Sequence, residues 1–285
     1  PVIVDTLKES LKRAGWIWGQ NLAVDLHYGN GDAERMRAQA EEILARQPDV
    51  VLAQGVVGAT ALQRATTTVP VVFMMLQDPV GGGFVTNLSR PGGNLTGFTN
   101  FDFVLVGKWL QLLKELSPGV TRALALINPD YRARLAGYTA EMARIGPELG
   151  IEARIAGVHD AAEIESAVTE FAARPEGGLI ALPDAVTGVY GQRIVDLAAT
   201  YRLPAVYAYA APVRLGGLAA YTTSVEQDVQ RAAGYIDRIL RGAVVGDLPV
   251  QASERFITLL NLTTAATLGL TISPSLMAKV DELVE

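Results

Sequence analysis

The chain has 285 residues, of which 49% are hydrophobic and 19% charged, and its formal net charge is −6. This length allows one large domain or two lobes of roughly 100 to 150 residues, and the composition is that of a globular protein. The acidic balance, without clustered Lys or Arg, argues against a nucleic-acid partner. The absence of cysteine excludes disulfides, thiolate metal sites and a cysteine nucleophile. No apolar run approaches the roughly 20 residues of a membrane span.

The first part of the chain alternates between helix and strand patterns. Residues 5–15, DTLKESLKRAG, predict an amphipathic helix that ends at Gly15, and residues 21–29, NLAVDLHYG, predict a strand. A helix capped by Asp32 follows, and then a buried strand in PDVVLAQG, a helix in GATALQRAT and a second buried strand in VPVVFMML. This alternation predicts an α/β fold with a parallel sheet.

The same order recurs after residue 100. A helix in GKWLQLLKELSPG precedes a strand that ends at Asn128, and the next helix is expected to run to Gly150. The strand IEARIAGV, a helix opened by Asp160, the strand GGLIALPD, another helix and the strand LPAVYAY complete the series. VVLAQG in the first series corresponds to LIALPD in the second. The repetition predicts two similar α/β lobes, whose strand carboxyl ends are the usual place for a ligand in open parallel sheets.

Residues 78–100, DPVGGGFVTNLSRPGGNLTGFTN, lie between the two series. They contain neither G-x-x-x-x-G-K-[ST] nor a G-x-G-x-x-G that opens a helix after a first strand, so a phosphate loop is disfavoured. A passage of this length without periodicity is uncommon inside a compact domain unless it is functional or joins parts. Its glycines, asparagines and threonines, with Pro91, suit a folded crossover between lobes.

The residues that follow the buried strands are the candidates for a binding cleft. They include Gln54, Gly55, Val56, Val57, Asp78, Asn128, Asp184, Thr187, Tyr207 and Tyr209. Backbone N–H groups at the helix start near Gly58 could receive an anionic group, and tyrosines could supply flat apolar area. Asp78 and Asp184 could act as an acid and base pair across a cleft, or a carboxylate could hold a ligand ammonium, and binding is the favoured interpretation. The two histidines, His27 and His159, are expected to be surface or turn residues.

Several motifs resemble one family over essentially the whole chain. They are AGW-x-x-GQN, DAERM, DPVG, SRPGGNLTGFTN, GKWLQLLKEL-x-PGV, LPAVY and the closing LN-x-x-x-A-x-x-LGL-x-I-x-P-S-L. The sequence resembles the ABC-transporter substrate-binding proteins of the TrpX-like type. The resemblance implies a type I periplasmic-binding-protein fold: two Rossmann-like lobes with parallel sheets, joined by crossover strands and closing on a ligand.

The resemblance also implies the lobe boundaries. One lobe is expected from residues 1–98 with about 223–247, and the other from 99–222 with about 248–285. Relatives begin with a strand and loop before the helix at residue 5, and this strand is expected to be absent from the sequence. The turn at 78–84 is expected to follow a strand at the cleft, and 94–101 to form the first crossover.

The ligand-facing residues that the resemblance implies are Gln54 to Val57, Asp78, Thr99, Asn100, Asn128, Asp184, Tyr207 and Tyr221, and Phe101, Thr187 and Thr222 are added to the predicted site as neighbours. Two departures stand out: Gly55-Val56-Val57-Gly58 replaces the G-T-P-A of relatives, which loses a hydroxyl, and Ala220-Tyr221-Thr222 replaces S-Y-G. With few charges and several tyrosines, the predicted ligand is an aromatic or branched amino acid or an aromatic carboxylate.

The resemblance implies an exported, non-enzymatic solute-binding protein, periplasmic or anchored as a lipoprotein, that delivers a small molecule to the membrane permease of an ABC importer. No cofactor, metal or nucleic acid is expected, and a monomer is expected. Two alternatives stay open. One is the ligand-sensing domain of a regulator, which needs a DNA-binding segment upstream. The other is a two-lobed α/β enzyme that uses Asp78 and Asp184.

Overall fold

A computed structural model describes residues 2–29, 32–100, 103–130 and 132–285. The helices in chain order are α1 (Val2–Arg13), α2 (Ala33–Ala45), α3 (Gly55–Ala65), α4 (Leu105–Leu116), α5 (Arg132–Ile145), α6 (Ala161–Ala172), α7 (Ala185–Val189), α8 (Gly191–Thr200), α9 (Ala211–Arg214), α10 (Val225–Leu240), α11 (Leu262–Thr267) and α12 (Pro274–Met277). The strands are β1 (Val51–Gln54), β2 (Val71–Met74), β3 (Leu95–Thr99), β4 (Arg122–Ile127), β5 (Glu152–Gly157), β6 (Gly177–Ala181), β7 (Ala205–Tyr207), β8 (Ala219–Thr223), β9 (Gln251–Ala252), β10 (Phe256–Asn261) and β11 (Glu282–Val284).

The chain forms two compact units. Unit 1 consists of Pro1–Asp102 and Thr223–Arg255, and unit 2 of Phe103–Thr222 and Phe256–Glu285. The chain therefore passes from one unit to the other three times. β9 lies in the segment from about 248 that was expected in the second lobe, but it pairs with β3 and so belongs to unit 1. In the part of the chain that the structure describes, no helix has the length and apolar character needed to cross a membrane.

Unit 1 is built on a parallel sheet with the strand order β1-β2-β3-β9. The side chains of β2 alternate between two apolar layers because successive residues of a strand point to opposite faces. Val72 and Met74 pack in the cluster that contains α1 and α10 residues, while Val71 and Phe73 pack in the cluster that contains α2 and α3 residues. Helices thus cover both faces of a buried strand, as the continuous apolar run VVFMM predicts.

The NLTG part of the glycine-rich passage is built into the sheet of unit 1. Asn94 donates its side-chain amide to the carbonyl of Val69 at 2.8 Å, and the fully buried Thr96 donates its hydroxyl to the carbonyl of Leu248 at 2.6 Å. Gly97 has φ +151°, and a Cβ there would lie 2.0 Å from the carbonyl oxygen of Phe73. A side chain at residue 97 would therefore break the pairing of β3 with β2.

The predicted strand at residues 21–29 is wrong. Within this segment the structure shows only an isolated bridge between Trp18 and Leu22. The alternating exposure is present, but β1 lies at the edge of its sheet and pairs only with β2. The segment lies along α2 instead. Gln39 of α2 donates its side-chain amide to the carbonyl of Tyr28 at 3.3 Å, and Asp25 forms an ion pair at 3.0 Å with Arg46, directly after α2. Alternation alone does not make a strand without a hydrogen-bonded neighbour.

Unit 2 is built on a larger, mainly parallel sheet with the order β11-β10-β8-β7-β6-β4-β5. β8 and β10 run antiparallel, since Ser224 donates its N–H to the carbonyl of Arg255 and Asn261 donates its N–H to the carbonyl of Leu218. Parallel pairing is recorded for β4 with β5 and β6, for β6 with β7, for β7 with β8 and for β10 with β11. One face packs against α6 and α8 through a core that includes Leu124, Phe171 and Ile194. The predicted α/β class with parallel sheets is confirmed.

The helix starts were predicted better than the helix ends. Asp32 and Asp160 cap α2 and α6, and each side chain accepts a hydrogen bond from the backbone N–H three residues later. The helix expected to run to Gly150 ends at Ile145 and continues as a 3-10 turn over Pro147–Leu149. Pro147 has no N–H to donate to a preceding turn, so the regular helix stops before it.

Candidate ligand-binding site

Most predicted site residues of unit 1 lie at the carboxyl ends of three neighbouring strands. Gln54, Met74 and Phe98 are in register across β1, β2 and β3, so these strands end side by side. Gly55 to Val57 continue from β1, Asp78 follows β2, and Thr99 and Asn100 come at the end of β3. The structure therefore brings these residues to one edge of the unit 1 sheet. Phe101 lies outside the described residues.

The start of α3 leaves its first backbone N–H groups without a side-chain cap. Gln54 occupies the capping position with extended backbone but makes no capping hydrogen bond, and its amide contacts the sulfur of Met75 at 3.4 Å. The first turn of α3 contains no acidic residue, and Val56 and Val57 beside it are half-buried. Uncapped N–H groups at the positive end of a helix dipole favour an anion.

Asn100 is buried with an unsatisfied acceptor. Its side chain is only 5% exposed, and its carbonyl oxygen Oδ1 has no hydrogen-bond partner among the residues that the structure describes. Leaving such a group unpaired costs about 1 to 3 kcal/mol, so it calls for a partner that the described residues do not provide. The preceding residue, Thr99, is half-buried, and its backbone carbonyl accepts hydrogen bonds from Ser253.

Asp78 shapes its own turn. Its Oδ1 accepts a hydrogen bond from the N–H of Gly81 at 2.9 Å, and its φ of 44° lies in the left-handed region. A Cβ at Gly81 would lie 2.0 Å from Asp78 Oδ2, so the carboxylate needs glycine at that position. The side chain is exposed, but one of its oxygens already stabilises the 78–83 turn.

On unit 2, Asp184 is buried and heavily used by the backbone. It is 6% exposed and caps α7, where Oδ1 accepts from the N–H groups of Val186 at 2.6 Å and Thr187 at 3.1 Å. Its Oδ2 accepts from the N–H of Asn128, at the end of β4. Three charge-assisted hydrogen bonds give Asp184 a structural role that the sequence did not predict.

Thr187 and Tyr207 point into the fold rather than toward solvent. The Thr187 hydroxyl donates to the carbonyl of Leu182 at 2.6 Å, and the side chain is buried. Tyr207 is 1% exposed and belongs to the core of unit 2, and its hydroxyl has no hydrogen-bond partner in the described part of the chain. Burial raises the pKa of Tyr207 well above its ordinary value. The expectation that Tyr207 offers a flat accessible surface is therefore wrong, because β7 directs the ring inward.

Tyr221 offers the aromatic surface that Tyr207 does not. Its half-buried ring stacks on Phe256, with 5.5 Å between ring centroids and 9° between planes. Trp109 donates its indole N–H to the carbonyl of Tyr221 at 2.8 Å, and Thr222 beside it is buried. Phe256 was missed by the sequence predictions, because it follows a segment without a strand signal. Tyr209 is half-buried.

The described residues contain no group of three or more acidic, histidine or cysteine side chains placed to hold a metal ion. His159 lies at the exposed end of β5, between Glu163, whose Oε2 is 2.8 Å from its Nδ1, and Asp130, whose Oδ1 is 3.3 Å from its Nε2. The hydrogen bond to Glu163, with the one to Asp130, raises the pKa of His159.

A family model described as "ABC transporter substrate binding protein" matches residues 2–284. The chain belongs to this family. The protein is therefore a substrate-binding protein rather than an enzyme. The alternative of an enzyme that uses Asp78 and Asp184 is also disfavoured by the geometry, because backbone N–H groups occupy both carboxylates.

Several relatives of this substrate-binding protein are known. A tyrosine-binding protein of Clostridioides difficile is 22% identical over 255 residues, which cover 89% of this chain and 72% of that protein. A crystal structure of a conserved domain protein from Vibrio cholerae has a TM-score of 0.89 at 27% identity and covers 99% of this chain and 94% of that one. The ABC domain from Streptococcus pneumonia, in complex with L-Trp, has a TM-score of 0.88 at 22% identity, with the same coverage. These structures establish the type I periplasmic solute-binding fold for this chain.

Proposed function

We propose that this substrate-binding protein binds an amino acid with an aromatic or branched side chain, or an aromatic carboxylate, and delivers it to the permease of an ABC importer. The observation that carries the proposal is the polar pair at the strand edge of unit 1. The uncapped start of α3 offers hydrogen-bond donors, and the buried Asn100 offers an acceptor without a partner.

This pair suits a zwitterion. The carboxylate of an amino acid would accept from the N–H groups of Gly55 to Gly58, and its ammonium would donate to Asn100 Oδ1. The sequence pointed to Asp184 as the ammonium partner. We now assign this contact to Asn100, because three backbone N–H groups already donate to Asp184.

The apolar residues favour a ligand with a hydrocarbon or aromatic body. Val56 and Val57 are half-buried at the unit 1 edge, and unit 2 offers the stacked pair of Tyr221 and Phe256 at its own strand edge. The relatives support this choice, since one is a tyrosine-binding protein and another was crystallised with L-Trp.

Calorimetry with intact and truncated probes tests the proposal. L-tryptophan, L-tyrosine and L-leucine supply both charges, whereas indole-3-propionate lacks the ammonium and tryptamine lacks the carboxylate. Each truncated probe should bind at least about tenfold more weakly than L-tryptophan, because each loses a charge-assisted hydrogen bond of about 1.5 to 3 kcal/mol. Asn100→Ala should weaken L-tryptophan but leave indole-3-propionate unchanged, because only the amino acid has an ammonium.

A different ligand class would give a different pattern. Stabilisation only by sugars, polyamines or phosphorylated compounds in a thermal-shift screen would contradict the proposed ligand class. Equal weakening of L-tryptophan and indole-3-propionate by Asn100→Ala would contradict the ammonium contact.

We further propose that the protein works outside the cytoplasmic membrane, in the periplasm or as a membrane-anchored lipoprotein. Uptake of radiolabelled L-tryptophan or L-tyrosine should fall when the gene is deleted and return when it is restored. A DNA-binding segment encoded ahead of this sequence, with no loss of uptake, would instead favour the ligand-sensing domain of a regulator.

A further inference from the structure

One buried carboxyl group lies beside all three places where the chain enters or leaves unit 1. The unit boundaries fall after residues 102, 222 and 255. Asp228, in the first turn of α10, is 2% exposed, and its Oδ2 accepts the hydroxyl of Ser253 at 2.7 Å. The buried Thr223 begins the second passage within unit 1, and among the described residues neither its hydroxyl nor Asp228 Oδ1 has a hydrogen-bond partner. Thr99 lies near the first boundary.

The backbone also connects these segments. Ser253 donates its N–H to the carbonyl of Thr99 at 2.8 Å, and Ser224 donates its N–H to the carbonyl of Arg255 at 2.9 Å. The segment near the first boundary, at residue 102, is thus hydrogen-bonded to the segment near the third boundary, at residue 255. The segment near the second boundary, at residue 222, is bonded to that same segment.

Arg231 holds the third segment against α10. Its guanidinium donates to the carbonyl of Ala252 at 2.7 Å and to the side chain of Gln251 at 2.6 Å, and it forms an ion pair with Glu254 at 2.9 Å. The same guanidinium lies over the ring of Phe98, 4.9 Å from its centroid. Asp228 and Arg231 are three residues apart on one face of α10, so they hold the segment together.

The hydroxyl of Ser253 has two acceptors and one hydrogen. Asp228 Oδ2 is 2.7 Å from Ser253 Oγ, and the carbonyl oxygen of Thr99 is 3.1 Å from it. When Asp228 is ionised, the hydrogen goes to the carboxylate, since charge-assisted hydrogen bonds are the stronger ones. When Asp228 is protonated, its own O–H donates to Ser253 Oγ, and the Ser253 hydroxyl is free to donate to Thr99.

The surroundings favour the protonated form of Asp228 more than water does. Burial raises the pKa of Asp228, while the Ser253 hydroxyl and Arg231 lower it and Glu254 raises it. The strands β2 and β3, which pack near α10, carry no titratable side chain, and α1 packs against α10 through Leu7 and Leu11.

We propose that Asp228 is a proton-binding positioning residue of the connecting segments. When Asp228 takes up a proton from solvent, the Ser253 hydroxyl stops donating to the carboxylate and donates to the Thr99 carbonyl instead. This hydrogen bond fixes the end of β3. Because Asn100 follows directly, ligand affinity becomes linked to the charge of Asp228. This last step rests on the proposed function, whereas the switch of the Ser253 hydroxyl does not.

NMR of the ligand-free protein tests the switch without any ligand. With ¹³C-labelled aspartate, one carboxyl carbon should titrate above the ordinary midpoint of about 3.9 and disappear in Asp228→Asn. The backbone nitrogen of Asn100, which is bonded to the Thr99 carbonyl carbon, should shift with the same midpoint. In Ser253→Ala the carboxyl should still titrate, but the Asn100 nitrogen should no longer follow it.

Two results would overturn the switch. One is an Asp228 carboxyl that titrates at or below the ordinary midpoint. The other is an Asn100 nitrogen that follows Asp228 equally in the wild type and in Ser253→Ala, which would indicate a general structural response.

The link to binding is tested with L-tryptophan as the probe, by calorimetry across the same pH range. Affinity should rise about fivefold or more as pH falls through the midpoint in the wild type, a coupling at the low end of the usual range, and stay constant in Asp228→Asn. A flat profile in the wild type would overturn the link to binding. No binding of any amino acid, with the NMR coupling intact, would instead contradict the proposed function.

Discussion

The helices that follow matching strands in the two units begin in opposite ways. In unit 1, β1 ends in Gln54-Gly55, and α3 starts without a side-chain cap. In unit 2, β6 leads through Pro183 and Asp184 to α7. The Asp184 carboxylate accepts hydrogen bonds from the N–H groups of Val186 and Thr187 in the first turn of this helix. One helix start is open to an external anion, while the other is neutralised by its own protein.

This difference shows that similar α/β segments need not serve similar purposes. A single residue at the capping position, Gln54 or Asp184, decides whether a helix start is available to a ligand or contributes to stability. The sequence analysis placed the starts of both helices in the predicted site, because both follow buried strands.

The largest expected effect is the loss of stability on removing the unit 2 cap. Asp184→Ala should lower the free energy of unfolding by about 2 to 4 kcal/mol in urea denaturation, because it leaves three buried or half-buried N–H groups without an acceptor. Asp160→Ala is the matched control, since Asp160 makes one exposed capping bond and should cost about 1 kcal/mol. Similar losses for the two variants would show that the bond to Asn128 contributes little.

Adding a capping carboxylate at the start of α3 should block the proposed carboxylate site of unit 1. Gln54→Asp places a carboxylate at the start of α3, so it should stabilise the protein by about 0.5 to 1 kcal/mol and weaken L-tryptophan at least about tenfold. Gln54→Asn is the control, because it can cap without a charge. Calorimetry and thermal unfolding measure the two effects. An unchanged affinity in Gln54→Asp would exclude the start of α3 as the carboxylate site.

Two buried tyrosines allow a smaller comparison between the units. The Tyr207 hydroxyl of unit 2 has no hydrogen-bond partner among the described residues, whereas the Tyr235 hydroxyl of unit 1 donates to the carbonyl of Pro249 at 2.7 Å. Tyr207→Phe should leave the free energy of unfolding unchanged or raise it by up to about 1 kcal/mol, while Tyr235→Phe should lower it by about 1 kcal/mol. A lower ligand affinity in Tyr207→Phe, with stability unchanged, would return Tyr207 to the binding site.

The smallest effect concerns His159, at the exposed edge of unit 2. Hydrogen bonds to Glu163 and Asp130 raise its pKa, so the folded state binds a proton more tightly than the unfolded state. The resulting stability is present below the unfolded pKa of about 6.5 and is lost as pH rises through the folded pKa. NMR titration should place the midpoint above the ordinary value, and Glu163→Gln should lower it. A midpoint that Glu163→Gln does not move would contradict the assigned cause.

The sequence predicted those parts of the fold that depend on local patterns. Asp32 and Asp160 were recognised as caps because a cap is set by a residue and its next turn. The segment 21–29 shows the limit, since it alternates as β5 does, yet only β5 has a neighbouring strand. Strand pairing is a tertiary property and cannot be obtained from alternation alone.

The candidate site was predicted less completely than the fold, for a related reason. The position of a residue after a strand predicts which edge it reaches but not where its side chain points. Tyr207 turns into the core, and Asp184 bonds to the backbone of Asn128, which directly follows β4 and is 56 residues away in sequence. The unpartnered oxygen of Asn100 likewise depends on burial by neighbours that no local motif specifies.

The NLTG segment has a consequence for how relatives of this protein are grouped. Asn94 and Thr96 donate to backbone carbonyls of unit 1, and Gly97 permits the close approach of β3 to β2. The side chains of Asn94 and Thr96 thus serve the backbone of the sheet, and Gly97 serves its packing. A search with this motif is therefore expected to collect proteins that share this sheet regardless of their cargo. Under the proposed function, recognition of an amino acid should be inferred instead from the residues equivalent to Gln54 and Asn100.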